Sequence, residues 1–132
     1  MTDNQTIKDF ILELYQAFEN SDEAAFRALV HPEMRTVNMG NANEVHIFSV
    51  DQICEFTING LKSARENVPG FFARWDEVEF VEVTIGDVVA FVSVRYKMLM
   101  PENVGTHTSG IHLIKPEDKW QVIQIVDRGI EQ

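Results

Sequence analysis

Cysteine is nearly missing from this chain: Cys54 is the single thiol among 132 residues. One thiol can form neither an internal disulfide nor a thiolate zinc cluster, so both common staples of small domains are closed to it. No apolar run approaches the roughly 20 residues that a membrane helix requires. The start, Met1-Thr2-Asp3-Asn4-Gln5, is polar and lacks the basic and apolar stretches of a signal peptide, so a cytoplasmic location is expected. Positive charge is scarce as well, with 11 Lys and Arg against 21 Asp and Glu and a net charge of −10. That field repels nucleic acid and anionic membrane surfaces, and neither is expected as a partner. It also serves solubility and identifies no partner by itself. A glycine-rich phosphate loop, a nucleophile elbow and a dinucleotide fingerprint are all lacking, so no cofactor is implied. Of His31, His46, His107 and His112, only the last two lie close in sequence, and strand alternation puts them on opposite faces. No metal site is expected.

What is present is ordinary globular material, 45% hydrophobic and 24% charged, with no internal repeat or linker. A chain of this size buries roughly two thirds of its unfolded surface, enough for one unstapled core. A single domain over residues 1–132 is the expectation. Ile7, Phe10, Ile11, Leu14 and Phe18 form one helical stripe within Asp3 to Asn20. A shorter helix fits Ser21 to Val30, capped by Ser21 or Asp22 and stopped by His31-Pro32, because a residue before proline is pushed out of the helical region. Arg35 to Gly40 and Val45 to Phe48 read as short strands around Asn41-Ala42-Asn43. Ser49-Val50-Asp51-Gln52 matches a capping box. The helix it starts should run to about Asn67, bury Ile53, Cys54, Thr57, Leu61 and Ala64, and end at Pro69-Gly70.

The hydrophobic period then changes from helical to strand-like. Strands are predicted at Phe71 to Ile85, Val88 to Met100, Thr106 to Lys115 and Trp120 to Arg128, joined by short turns as an antiparallel meander. The second of these is apolar on both faces. Val88, Ala90, Val92, Val94, Tyr96 and Met98 share one; Val89, Phe91 and Leu99 share the other with Ser93, Arg95 and Lys97. Helices can cover only one face, so the other is expected to meet a second subunit; the plainer alternative is edge curvature that hides those residues within one chain. The fold class is α+β, with the N-terminal helices packed on a strongly curved antiparallel sheet.

This order of elements resembles the nuclear transport factor 2-like superfamily. Local marks are Ala17-Phe18-Glu19-Asn20-Ser21-Asp22, Phe91-Val92-Ser93-Val94-Arg95-Tyr96 and Lys119-Trp120-Gln121-Val122-Ile123. The resemblance implies a cone with an apolar pocket, and a homodimer formed through the sheet. Ketosteroid isomerase, a member, uses an aspartate base on the first strand and a hydrogen-bonding acid on the fifth; the matching positions here are Asn38 and Gly110. Asparagine cannot take a proton at neutral pH and glycine offers no acid, so that mechanism is disfavoured.

The superfamily's polyketide cyclases are similar in another way, with a polar residue on the first strand, a histidine on the fifth and an aspartate late in the sixth. The resemblance places these at Asn38, His112 and Asp127. An inward Asp127 loses hydration and needs a partner, which His112 could supply. Asn38 would orient a carbonyl or enolate oxygen. Each has a plainer reading: Asp127 as a rim partner of Arg128, His112 as a core or dimer-face residue, Asn38 as a cap for the turn at Gly40. Tyr15, Trp75, Val92, Val94 and Tyr96 are the expected pocket wall. Methionines 34, 39, 98 and 100 serve either as adaptable wall or as core filler. Three functions stay open: a domain binding an apolar small molecule, a proton-transferring enzyme, and an interaction module using the sheet face.

Overall fold

A computed structural model describes residues 2–40 and 44–131. Helix α1, Asn4–Glu19, starts where the Asp3 carboxylate accepts the Thr6 amide at 2.8 Å. Ile7, Ile11, Leu14 and Phe18 are buried along one stripe, as their spacing requires. Helix α2, Glu23–Leu29, is capped by Asp22, which accepts the Ala25 amide at 3.0 Å. Its one fully buried side chain is Phe26, whose ring lies 5.2 Å from that of Phe18.

Strand β1 spans Val30–Met39 and so begins five residues before the expected Arg35. The residue before a proline is driven toward extended backbone, which ends a helix and equally suits a strand. Pro32 has no amide to give to a ladder, and the register of β1 breaks between Val30 and Arg35, around it. Strand β2, Val45–Ser49, pairs antiparallel with β1; the expected turn at 41–43 lies outside the described residues.

Ser49 and Gln52 form the capping box of the third helical rod. That rod is α3, Val50–Ile53, then one wide π-type turn over Cys54–Ile58, then α4, Asn59–Asn67. In the wide turn the Asn59 amide reaches back five residues to the Cys54 carbonyl. The extra residue per turn moves the buried seam along the chain. Val50, Ile53, Cys54 and Ile58 are buried, while the expected Thr57, Leu61 and Ala64 are only half-buried.

Strands β3 (Arg74–Ile85), β4 (Val89–Met100), β5 (Asn103–Ile114) and β6 (Gln121–Glu131) form the predicted meander. Residues 71–73 lie ahead of the ladder, and β5 begins three residues early because Pro101-Glu102 alone makes the turn, with Glu102 at φ 59°. The strand order is β2-β1-β6-β5-β4-β3, and β1 runs parallel to β6. The sheet is therefore mixed, where the sequence suggested a wholly antiparallel one, and it stays open with β2 and β3 as its edges. Two register shifts in β3, one beside Glu77 at φ 48°, bend it around the helices.

The inward row of β4 (Ala90, Val92, Val94 and Tyr96) is buried with Ile111, Leu113, Val122 and Ile125 of the neighbouring strands. Trp120 packs at the foot of β6, its indole donating to the Thr2 hydroxyl at 3.1 Å. Among the described residues no helix is long and apolar enough to cross a membrane.

Candidate functional site

Strand register assembles the site. Asn38 on β1 is the ladder partner of Asp127 on β6, Asp127 pairs with Ser109 on β5, and Ser109 pairs with Val94 on β4. Directly paired residues project from the same face of a sheet. Val94 is in the core, so this whole row points inward. The next inward row is Gly129, His107 and Tyr96, again paired across β6, β5 and β4. Two rows of one sheet thus bring seven residues from four strands to the same face.

Asp127 is the hub of that face. Its Oδ1 accepts the Tyr96 hydroxyl at 3.0 Å and the Ser109 hydroxyl by a short contact. Its Oδ2 lies 3.0 Å from Nδ1 of His107. The two side chains are 14% and 24% exposed, little enough that water is a weak competitor. An ionised carboxylate only accepts, so Nδ1 of His107 carries the hydrogen and Nε2 is the nitrogen left for another partner.

Space for the imidazole is made by residues without side chains. The ring stacks on Tyr96 at 5.1 Å and 7°. A Cβ on Gly129 would stand 3.1 Å from its Cε1, and one on Gly105 would stand 3.5 Å from Nε2. Here glycine supplies room on an ordinary strand.

Beside the hub is a cavity of about 220 Å³, lined by Asn38, Thr36, Asp127, Ser109 and His107 from the sheet, and by Tyr15, Phe18, Ile53 and Thr57 from the helices. Trp75, Tyr96, Met98 and Ile125 complete it. It falls below the roughly 300 Å³ at which pockets begin to hold drug-sized ligands. One aromatic wall runs through it: Phe18 stacks on Trp75 at 5.3 Å, Trp75 on Tyr15 at 6.3 Å, and Tyr15 meets Tyr96 at 5.2 Å. Trp75 is held at the rim because its amide donates to the Glu19 carboxylate at 2.7 Å. The Tyr15 hydroxyl is buried with no hydrogen-bond partner among the described residues.

Burial first, and then the Asp127 charge, push the Tyr15 hydroxyl far above the ordinary tyrosine value of 10.0. Burial and Asp127 do the same to Tyr96, to which Tyr15 adds. Both phenols remain neutral hydrogen-bond donors throughout the physiological range.

Of the residues singled out from sequence, Asn38, Asp127, Tyr15, Trp75 and Tyr96 line this cavity. Val92 and Val94 share its face but are fully buried in the core and do not line it. His112 is a correction. It lies on the outer face, exposed, its ring 4.9 Å from Phe91 and far from the hub side. Strand alternation is the reason: Ile111 and Leu113 are the inward residues, so the histidine between them points out. Gly110 is outward as well, its missing side chain facing the Phe91 ring. Arg128, adjacent to Asp127 in the chain, is exposed and forms no ion pair with it.

His107 and Ser109 were missed. The available signal was parity along β5, where residues 107, 109, 111 and 113 share one face and two of them are apolar. Among the described residues no group of three His, Cys, Asp or Glu is placed to hold a metal ion.

No known family profile and no curated protein sequence matches the chain. Solved structures do. A nuclear transport factor 2-like protein from Cytophaga hutchinsonii superposes with a TM-score of 0.75 at 16% identity, over 98% of this chain and 100% of that one. One from Silicibacter pomeroyi, described as of unknown function, gives 0.73 at 14%, again over 98% and 100%. A ketosteroid isomerase-like protein from Erwinia carotovora gives 0.63 at 17%, over 96% and 95%. The chain has the nuclear transport factor 2-like cone fold, and identities this low carry the fold alone.

The two tyrosines are the chain's whole complement, which makes their ionisation separately readable. A phenol whose folded pKa is raised leaves stability untouched below about pH 10 and erodes it as pH climbs above that value. Absorbance at 295 nm should therefore show no tyrosinate until the protein unfolds in alkali. A reversible step near pH 10 in the folded protein would contradict the burial of one ring.

Proposed function

We propose that this protein binds a small molecule in its cone, with a largely apolar body and a few polar contacts. The observation that carries this reading is the Tyr15 hydroxyl. A buried donor left without a partner costs about 1–3 kcal/mol, and Tyr15 is one of the residues that line the cavity, together with Asn38 and His107. Evolution toward stability alone would favour phenylalanine at that position. A ligand that accepts from the hydroxyl removes the cost. Tyr15→Phe should accordingly raise the stability of the ligand-free protein by roughly 1 kcal/mol in urea unfolding. Protein-observed NMR against a library of one-ring compounds should perturb signals of Tyr15, Trp75, Tyr96 and His107. A library that moves none of them refutes the reading.

A second reading makes the cone an active site for proton transfer on a carbonyl compound. The Asp127–His107 contact supports it, since it orients the imidazole of a cavity-lining residue and leaves Nε2 without a partner of its own in that contact. The Tyr15 hydroxyl would then receive the enolate oxygen. In this reading the histidine of the pair is His107 and not His112. Deuterium exchange beside the carbonyl of cyclohexanone should fall about 100-fold in Asp127→Asn; equal rates in the two proteins exclude the mechanism.

A homodimer through the outer sheet face completes the proposal. Val89 and Val104 are 55% and 49% exposed there, beside half-buried Phe91 and Leu99. A second copy is the simplest cover for such a patch, and it would leave the cone open. Light scattering should give twice the mass of 15.1 kDa. A monomer at micromolar concentration would leave the interaction-module reading of this face with a different partner.

A further inference from the structure

We propose that the cone's ligand is an organic cation, a methylated ammonium with a short oxygen-bearing arm. The inference rests on the reading of the cavity as a ligand site and adds the charge of what enters it. Among the cavity's lining residues there is no lysine or arginine, and the one carboxylate is Asp127. That carboxylate sits inside a protein of net charge −10. An anion would enter against both fields, whereas a cation is drawn in by both. The raised hydroxyls of Tyr15 and Tyr96 register the same field, since Asp127 contributes to both.

The hydrogen-bond inventory narrows the kind of cation. Asp127 already accepts from Tyr96, Ser109 and His107, so a primary ammonium with three N–H donors would find few acceptors left. A quaternary or tertiary ammonium asks for none. It is served by aromatic rings and a nearby negative charge, and Phe18, Trp75, Tyr15 and Tyr96 line the cavity with Asp127. The Tyr15 hydroxyl, the donor left over, would give its hydrogen to an oxygen on the ligand's arm. An inorganic cation is a poorer fit, because no cluster of three ligating side chains exists among the described residues.

Three probes of one shape separate charge from shape. They are choline, its uncharged carbon isostere 3,3-dimethylbutan-1-ol, and 3,3-dimethylbutanoate. Each is titrated into the full chain at fixed ionic strength, and the two tryptophan indole signals are followed by NMR. Trp75 lines the cavity, while Trp120 lies outside it and reports any general effect of the probe. Choline should move Trp75 and leave Trp120 still, with about tenfold tighter binding than the alcohol and no binding of the carboxylate. Trp75→Leu, followed through the Tyr96 ring signals, should weaken choline several-fold while changing the alcohol little. Asp127→Asn should bring choline and the alcohol to similar affinity, and its folding is checked by the unchanged Trp120 signal. Equal or tighter binding of the alcohol overturns the charge inference but keeps the cavity as a binding site. Tighter binding of the carboxylate does the same. If no probe moves Trp75 at any concentration, both the inference and the ligand-site reading fall.

Discussion

A carboxylate on the inner face of a sheet is the constraint around which this molecule is arranged. Asp127 lies among residues that are otherwise core, and its charge cannot be left there without donors. Tyr96, Ser109 and His107 supply them from β4 and β5. Each donor is in reach only because the antiparallel register of β4, β5 and β6 sets Ser109 opposite Asp127, and His107 opposite Tyr96. A slip of one residue in either pairing would turn the donors outward and leave the charge unpaired. The polar cluster and the strand register therefore support one another.

The same cluster keeps the cone from filling. Further along β4 and β5, Val92, Val94, Ile111 and Leu113 close the core against α1 and α2. At the Asp127 end the wall becomes polar, Gly105 and Gly129 withhold side chains beside the imidazole, and the helices stand off. The bent β3 brings Trp75 to the rim, where Glu19 of α1 fixes its amide. What results is a small space with aromatic sides, one charge and one unserved hydroxyl. A stable core needs none of these features, so they point toward recognition more than packing.

Much of the framework was legible in the chain. The stripe of α1, the capping box at Ser49 and Gln52, and the two-faced β4 each follow from local chemistry or from a period that one segment displays alone. Errors gathered where a segment's neighbours decide. The π-type turn at Cys54–Ile58 shifted the seam of the third helix by an amount no periodicity count would show. The parallel pairing of β1 with β6 depends on two segments about ninety positions apart. The resemblance put the fifth-strand histidine at His112, although its apolar neighbours Ile111 and Leu113 imply that it points outward.

By itself the sequence determined which residue types could do chemistry, and it excluded several options outright. With asparagine at position 38 and glycine at 110, an acid–base pair at those two places cannot exist under any arrangement of the backbone. It also determined the alternation that sorts each strand into two faces, because that follows from backbone geometry within the strand. Only tertiary structure decided which aspartate meets which histidine, and that Tyr15 from the first helix ends within reach of a charge on the last strand. Those contacts depend on register and on the bend of β3, which emerge from the packing of all six strands together and are written in no single one.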